Sequence, residues 1–381
     1  MRRIGCMVVI LSVMAMLLPV GVRGEALEVP AKSALLMDVA TGTVLFEQNA
    51  HEPLPPASVT KVMTMLLIME AIADGRLSWE DTVTASETAA AKGGSQIYLK
   101  VGETMTVRDM VKSIAVSSAN DCACAMAEHL AGSEAAFVEM MNAKAEELGM
   151  EDTHFVNCTG LDDDADAAGH KTSAYDIALM SRELLKNHPD IKQYTTIWMD
   201  TVRNGAFGLS NTNKLVRFYS GATGLKTGFT AAAGYCLSAS AQREELELIA
   251  VVMGCETSQN RFAACKSLLD YGFAQYTLVR PTLEERAEIP VKLGTADTVT
   301  AVPATEGAIL IEKQQKNMIT VQTELENEVA APVSKGQRLG TMTVRAGDQE
   351  LVQIPLVAES AVDKLTWGQM FLRILKKAAM G

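Results

Sequence analysis

The sequence predicts an α+β fold, and three observations support that class. Residues 33–48 and 234–253 each carry two β-patterned runs around a polar turn, which is typical of a hairpin. Between these hairpins lie several stretches with apolar residues at helical spacing. Residues 281–358 are rich in Val, Thr and Ile, alternate as strands do, and contain no long helical pattern. Strands and helices segregated in this way indicate α+β architecture.

Length and charge limit the kind of protein. The 381 residues are enough for two or three domains with a sizeable core. The formal net charge of −12 argues against a nucleic-acid-binding protein, which normally carries a basic face. We therefore expect no nucleic-acid partner.

Residues 1–24 have the pattern of a secretory signal peptide. Arg2 and Arg3 precede an apolar run over residues 4–20, and small residues follow it. Cleavage after Gly24 or after Ala26 fits the pattern. The alternative is an uncleaved anchor, because the run approaches the lower length limit of a spanning helix. Both interpretations predict an exported protein, in the periplasm or cell-wall space or on the outer face of the membrane.

Six cysteines follow the signal segment, and an even number in an exported protein permits disulfides. Cys122 and Cys124, however, lie on opposite sides of a predicted helix, and no zinc-type spacing occurs. A core of this size needs no covalent cross-links. We therefore predict buried free thiols and no metal site.

The first candidate motif opens the helix predicted from residue 58 onward. Pro55 and Pro56 end an extended segment, apolar residues then recur at helical spacing, and Gly75 stops the helix. Ser58 and Lys61 are three residues apart and share one helical face. A serine becomes a nucleophile only when a base removes its proton, and lysine is a base only when burial or another cation lowers its pKa. The alternative is a helix N-cap beside a solvated lysine.

The second motif is Lys226-Thr227-Gly228, on a predicted strand. It offers a charge, a hydroxyl and open backbone along which a substrate chain could pair as an added strand. Gly228 has no side chain to block that approach. An ordinary surface strand is the alternative.

The third motif, Ser118-Ala119-Asn120, lies at a corner between predicted helices over residues 106–116 and 121–131. Alone it is weak, because residues 258–260 have the same Ser-x-Asn form. The other two motifs are specific: no other lysine follows a serine by three residues, and Lys-Thr-Gly occurs once. The order of all three motifs along the chain is the stronger signal.

In their order along the chain, Ser-x-x-Lys, then Ser-x-Asn, then Lys-Thr-Gly, the motifs resemble those of low-molecular-weight penicillin-binding proteins of the serine-type D-alanyl-D-alanine carboxypeptidase family. The resemblance covers nearly the whole chain. It implies a β-lactamase-like or DD-peptidase-like antiparallel sheet flanked by helices, with a small all-β C-terminal domain and a terminal amphipathic helix. Further stretches usual in that family are Asn157-x-x-Gly160-Leu161, Asn213-Lys214-Leu215, Gly234-Tyr235 and residues 252–254.

The resemblance also implies residue roles on peptidoglycan stem pentapeptides. Ser58 would attack the carbonyl between the two terminal D-alanines and form an acyl-enzyme. Lys61, kept neutral partly by Lys226, would take its proton. Ser118 would relay a proton to the leaving D-alanine, and Asn120 would orient Lys61 and the substrate amide.

Binding roles follow from the same resemblance. The backbone N–H groups of Ser58 and Phe229 would form the oxyanion hole, although the family often has His or Tyr where Phe229 stands. Thr227 and Arg261 would hold the terminal carboxylate, with Arg261 as a merely exposed residue the alternative. We expect β-lactam antibiotics to inhibit, and neither a cofactor nor a metal is implied.

Two other functions are compatible with parts of this pattern. Class A β-lactamases share the three motifs but carry a Glu-x-x-Leu-Asn segment between the Ser-x-Asn and Lys-Thr-Gly motifs, and here the closest string, residues 183–187, has Lys186 in place of the leucine. A non-catalytic sensor of muropeptides or β-lactams is the second rival. Intact copies of all three motifs argue against it.

The predicted organisation beyond the signal is a catalytic domain over residues 25–281, a small β-rich domain over 282–360 and a helix over 361–381. On a helical wheel Trp367 and Phe371 lie on an apolar side, opposite Arg373, Lys376 and Lys377. An apolar face with a cationic flank is typical of helices that lie on a membrane surface. Packing of this helix on the β domain is the alternative.

Overall fold

The computed structural model describes residues 27–162, 167–283, 287–305 and 307–380. The predicted signal peptide and part of the acidic run at 162–164 lie outside these ranges. The helices are α1 Lys61–Ala73, α2 Glu87–Ala90, α3 Val107–Ser117, α4 Asn120–Ala131, α5 Glu134–Glu147, α6 Ala174–Asn187, α7 Lys192–Thr195, α8 Leu215–Phe218, α9 Ser258–Gln275 and α10 Trp367–Met380. The strands are β1 Ser33–Asp38, β2 Val44–Gln48, β3 Thr82–Thr84, β4 Thr104–Thr106, β5 Met199–Val202, β6 Phe207–Ser210, β7 Ala222–Thr230, β8 Gly234–Arg243, β9 Leu246–Cys255, β10 Tyr276–Val279, β11 Ala287–Lys292, β12 Thr298–Pro303, β13 Ile309–Glu312, β14 Ile319–Leu325, β15 Val329–Ala330, β16 Arg338–Ala346 and β17 Gln349–Ala358.

The first domain is built on a five-stranded antiparallel sheet in the order β2-β1-β9-β8-β7. Both hairpins predicted from the sequence are confirmed, β1 with β2 and β8 with β9. Strand β7, which carries Lys226, is at one edge of this sheet. An edge strand keeps one row of backbone groups free of its own sheet, so a peptide can pair with it.

Helices cover both faces of the sheet, as the predicted class requires. Helix α9 packs on β8 and β9, while α6 packs on β1 and β9 from within the larger helical layer. Helix α1 is apolar on nearly every side and is buried along its length, with Met63, Met65 and Ile68 fully inaccessible. A helix that is hydrophobic all round lies inside a core. Its first residue, Lys61, is therefore carried into the protein.

Side-chain caps explain where several helices begin. Thr106, Ser133, Ser173 and Thr257 each accept a hydrogen bond from a backbone N–H in the first turn of the following helix. The sequence pattern predicts helices over residues 106–116, 121–131, 134–148 and 175–185, and α3, α4, α5 and α6 begin and end within two residues of these bounds. For α9 it predicts residues 261–271, whereas the helix begins three residues earlier, after the capping threonine at 257, and ends four residues later.

Residues 188–218 carried no secondary-structure prediction. They contain α7, the β5–β6 hairpin and α8, none longer than four residues. Elements this short give too few residues for a periodic pattern to emerge.

The C-terminal domain is all β, as predicted, apart from one 3-10 turn over Lys313–Met318. Its six strands run in the order β14-β16-β17-β12-β11-β15 around a core that includes Leu339, Met342 and Leu356. Strand β13 leaves this sheet and pairs with β10 at the end of the first domain. Lys313 reinforces the junction by donating to the Phe273 carbonyl at 2.6 Å.

The six cysteines beyond the signal segment are buried free thiols, which confirms that prediction. Within the described residues no helix is both long and apolar enough to cross a membrane.

Candidate active site

Ser58 lies in a 3-10 turn, Ala57–Thr60, that leads directly into α1. The Lys61 side chain is fully buried and folds back so that its Nζ is 2.9 Å from the Ser58 Oγ. The solvated-lysine alternative is therefore wrong. Ser58 is also not the cap of α1, whose N-cap residue is Thr60. The pair has the geometry of a nucleophile and its base.

Burial lowers the pKa of Lys61 from its ordinary 10.5 to about 7, against smaller opposing effects of Cys158 and Asp121. An ammonium loses hydration in the core, so the neutral amine is favoured there. At neutral pH a large fraction of Lys61 can then accept a proton from Ser58. Burial, and not the charge of Lys226, accounts for this shift.

A loop that the sequence did not assign to the site also holds Lys61. The Lys61 Nζ donates to the Thr159 carbonyl at 2.7 Å. The Asn157 Oδ1 accepts the backbone N–H groups of Thr159 and Gly160, at 3.1 and 2.7 Å, and so fixes the turn that presents this carbonyl. The Asn-x-x-Gly-Leu string was the only signal for this contact, and it carried no role.

The Ser118 corner is held in a specific backbone conformation. Ser118 ends α3 with φ of 62°, in the left-handed region, and is 3 % exposed. The Asp121 carboxylate accepts the backbone N–H groups of Ile97 and Leu99, which ties the start of α4 to the segment beside it. These contacts fix the position of the corner relative to residues 97–99.

Asn120 makes no hydrogen bond to Lys61 among the described residues, so the orienting role expected of it has no direct contact behind it. Its Nδ2 donates to the Gly93 carbonyl at 2.7 Å, which assigns the amide orientation. Its buried Oδ1 has no hydrogen-bond partner among the described residues. A buried unpaired acceptor costs about 1–3 kcal/mol, so this oxygen is suited to a donor that arrives with a substrate.

Strand β7 packs directly against the nucleophile turn. A Cβ on Gly228 would lie 2.6 Å from the Pro56 carbonyl oxygen and 3.1 Å from the Ser58 nitrogen. The glycine is thus required for the close approach of strand and turn, a reason that the sequence did not reveal.

The third motif is joined to this strand by Thr212, another residue that sequence reasoning missed. The Thr212 N–H donates to the Val116 carbonyl near the end of α3, at 3.2 Å. Its hydroxyl is 2.6 Å from the Thr227 hydroxyl. The structure therefore brings all three motifs together at one place.

Lys226 is 1 % exposed and donates to the Thr227 carbonyl at 2.8 Å. Burial, with further repulsion from Lys61 and Arg261, holds the pKa of Lys226 well below its usual value. Lys61 and Lys226 therefore repel each other, and this repulsion lowers the pKa of Lys226 and not that of Lys61.

Arg261 is 7 % exposed, so the exposed alternative for this residue is wrong. One guanidinium nitrogen donates to the Gly228 and Cys236 carbonyls at 3.0 and 3.3 Å, which ties α9 to β7. Its Nε has no partner among the described residues. Phe229, by contrast, is 55 % exposed and stacks on Tyr235 at 4.3 Å between ring centroids.

Known proteins with similar sequences identify the family of this chain. Residues 21–257 match the family model described as D-alanyl-D-alanine carboxypeptidase. The chain belongs to this family. Residues 282–364 match the C-terminal domain of penicillin-binding protein 5. The D-alanyl-D-alanine carboxypeptidase DacF of Bacillus subtilis is 42% identical over 351 residues, covering 90% of this chain and 89% of the relative.

Solved structures that are similar to this carboxypeptidase agree with the family assignment. Penicillin-binding protein 5 from Haemophilus influenzae has a TM-score of 0.76 at 29% identity, covering 89% of this chain and 99% of that one. Penicillin-binding protein 6B from Escherichia coli has a TM-score of 0.72 at 32% identity, covering 87% and 96%. This chain is thus a low-molecular-weight penicillin-binding protein with carboxypeptidase activity, and its peptidoglycan substrate lies in the periplasm or cell-wall space.

One group of potential metal ligands occurs within the described ranges: Glu70, Glu183 and His188, whose ligand atoms lie within 4.8 Å of one another. It includes none of the site residues. Lys144 already pairs with Glu70 at 2.9 Å, which explains this carboxylate without a metal ion.

Proposed function

We propose that this carboxypeptidase removes the terminal D-alanine from stem pentapeptides through an ester formed on Ser58. The observation that carries the proposal is the 2.9 Å contact between the Ser58 Oγ and a Lys61 whose pKa is about 7. Ser58 attacks the carbonyl between the two D-alanines while Lys61 accepts its proton. The D-alanine leaves with a proton, and water then hydrolyses the ester and releases the shortened peptide.

Ser118 passes the proton to the leaving amine, and Asn120 binds the substrate. The unpaired Asn120 Oδ1 supports the second role, because a substrate backbone N–H can satisfy it. This differs from an orienting role toward Lys61, which the Thr159 carbonyl performs. Lys226 is buried close enough to Lys61 for the two charges to repel each other, and its side-chain nitrogen is a further hydrogen-bond donor in the site.

The N–H groups of Ser58 and Phe229 form the oxyanion hole. The close approach of Gly228 to the Ser58 nitrogen supports this pairing, because Phe229 is the next residue along the strand. Losing one such donor typically raises the barrier by about 3 kcal/mol.

The proposal is tested by incubating the enzyme with a pentapeptide ending in D-Ala-D-Ala and following D-alanine by mass analysis. Repeated turnover, with one D-alanine released per tetrapeptide formed, is expected. A single equivalent of product with no further release would favour the sensor function.

Recognition of the free C-terminus gives one prediction. Thr227 lies on β7 with its hydroxyl against Thr212, and Arg261 donates to the carbonyl of the next residue, Gly228, so a hydroxyl and a guanidinium are present at this part of the strand as possible partners of a carboxylate. A hydrogen bond to a charged group contributes roughly 1.5–3 kcal/mol, so amidating the substrate C-terminus should lower kcat/KM by about 10- to 100-fold. Arg261→Ala should lose a similar factor on the acid and little more on the amide.

Because Arg261 also supports β7, the decisive quantity is the ratio of kcat/KM on the acid to kcat/KM on the amide, and not activity alone. A variant that merely weakens the strand would lower both rates and leave the ratio at the wild-type value. That result, or equal cleavage of acid and amide by the wild type, would reject the assignment of these residues to the carboxylate. It would favour endopeptidase action instead.

We further propose an exported chain with the domains predicted above, whose α10 lies on the membrane surface. Trp367, Phe371 and Ile374 are 86, 63 and 61 % exposed. Arg373 on the opposite side donates to the Gly294 carbonyl at 3.0 Å and pairs with Asp297. The helix is therefore docked on the β domain by one side while its apolar side is free to enter lipid.

Removing residues 363–381 should leave turnover of a soluble pentapeptide unchanged and abolish pelleting with anionic vesicles. The double change Trp367→Ser and Phe371→Ser is the matched variant, since it keeps the Arg373 contacts and removes apolar area. It should also lose most of its pelleting. Equal pelleting of the intact and altered forms of the signal-cleaved protein would contradict the surface association.

A further inference from the structure

The residue before the nucleophile has a strained backbone. Ala57 has φ of 49°, in the left-handed region, although it is not a glycine. For an L-residue this conformation costs roughly 1–2 kcal/mol, so surrounding contacts must hold it. Ala57 is also 2 % exposed, which leaves its backbone groups dependent on protein partners.

A directed chain of hydrogen bonds ends on the Ala57 carbonyl. The Val156 N–H donates to the His170 Nδ1 at 3.0 Å. The proton of the neutral imidazole is therefore on Nε2, which lies 2.7 Å from the Thr60 Oγ1. Thr60 accepts from His170 and so turns its own proton to the Ala57 carbonyl, 2.8 Å away. Every donor in the chain has one assigned acceptor.

The surroundings keep this series of hydrogen bonds in one arrangement. Burial lowers the pKa of His170 to about 4, so the ring stays neutral throughout the neutral pH range. Gly160 packs on the same place: a Cβ there would overlap the Ala57 carbonyl and lie 2.8 Å from the Thr60 Oγ1. A water molecule cannot take the place of the threonine hydroxyl in so little space.

The Ala57 carbonyl and the Ser58 N–H belong to one planar peptide group. Fixing the direction of the carbonyl therefore fixes the direction of the N–H on the opposite side. That N–H is the donor assigned above to the oxyanion hole. Its orientation matters most when negative charge develops on the substrate oxygen, in the transition state and not in the bound substrate.

We propose that His170 and Thr60 are positioning residues that aim the Ser58 N–H at the oxyanion by fixing the Ala57 carbonyl. Neither residue touches the substrate. The proposal rests on Ser58 as the nucleophile of the proposed function, and it adds a reason for a histidine and a threonine that the mechanism does not otherwise use.

The test measures penicillin acylation of the full signal-cleaved protein by stopped flow, separating the initial binding constant from the acylation rate constant. Thr60→Val keeps the side-chain shape and removes the hydroxyl. It should lower the acylation rate constant by about 10- to 100-fold with binding unchanged, as misorientation at a reacting centre does. Thr60→Ser restores the hydroxyl and should recover most of the rate.

Two further variants separate positioning from stability. The His170→Gln amide can reach the Nε2 position and donate to Thr60, whereas the shorter His170→Asn amide reaches only the Nδ1 position. The Gln variant should therefore acylate about 10-fold faster than the Asn variant. The control is Thr195→Val, which deletes an equally buried hydroxyl that donates to the Thr223 carbonyl at 2.6 Å. It should lower Tm as Thr60→Val does and leave the acylation rate unchanged.

Acylation of Thr60→Val at the wild-type rate would overturn the proposal. So would rate losses that follow Tm alone, with Thr195→Val as slow as Thr60→Val, or equal rates in the two His170 variants. If the wild type itself is not acylated on Ser58, the proposed function fails instead, and peptide mapping distinguishes that outcome.

Discussion

Replacing Ser58 with alanine is expected to lower D-alanine release by at least about 10⁴-fold and to abolish covalent labelling by penicillin. Removal of a nucleophile in a comparable serine hydrolase costs up to about 10⁶-fold, with residual activity left to the remaining groups. The Lys61 Nζ lies 2.9 Å from the Ser58 Oγ, and within the described residues no other hydroxyl is hydrogen-bonded to the side chain of a lysine whose pKa is lowered. Labelled penicillin followed on a gel, together with D-alanine release, provides the measurement.

The control is Ser181→Ala, which removes a buried hydroxyl bonded to Ser238 at 2.8 Å, between α6 and β8. It should keep full labelling even if Tm falls. Full labelling of Ser58→Ala would reject the mechanism outright.

The second large effect concerns pH and Lys61. Burial lowers the pKa of this lysine to about 7, so the neutral, active base is abundant above that pH and is lost below it. The acylation rate should therefore level off above about pH 7 and fall about tenfold per pH unit below it. Lys61→Arg should lose at least about 10³-fold at every pH, because a guanidinium does not release its proton.

His170 cannot mimic this profile, since its pKa of about 4 places its titration well below the predicted inflection. Acylation that is constant between pH 5.5 and 8, or an active Lys61→Arg variant, would show that Lys61 is not the base.

Local patterns were enough to predict the main helices, both hairpins and the pair of Ser58 and Lys61. Three residues of helical spacing bring two side chains onto one face whatever surrounds them. Periodicity likewise reports which face of a helix or strand is buried, so α1 and β9 were recognisable from their apolar residues. These features depend only on neighbours in the chain.

The contacts that complete the site could not be predicted in this way. Thr159 is 98 positions from Lys61 in the chain, and His170 is 110 positions from Thr60. Such partners are set by how the loop at 157–160 packs on the nucleophile turn, and no local pattern encodes it. The same limit applies to Arg261, whose burial against β7 depends on the packing of α9 on the sheet.

Gly228 shows the difference between what the sequence and the structure can establish. A glycine in the second motif suggested room for substrate, whereas Gly228 is needed first for the close approach to the Pro56 carbonyl. Both purposes require the absence of a side chain, so the sequence alone cannot separate them.

The most direct test of the account is peptide mapping by mass spectrometry after a short incubation of the signal-cleaved protein with penicillin. Ser58 alone should carry the adduct, because among the described residues it is the only hydroxyl that lies beside both a lysine of lowered pKa and the proposed oxyanion donors. An adduct on Ser118, or on any residue other than Ser58, would contradict it.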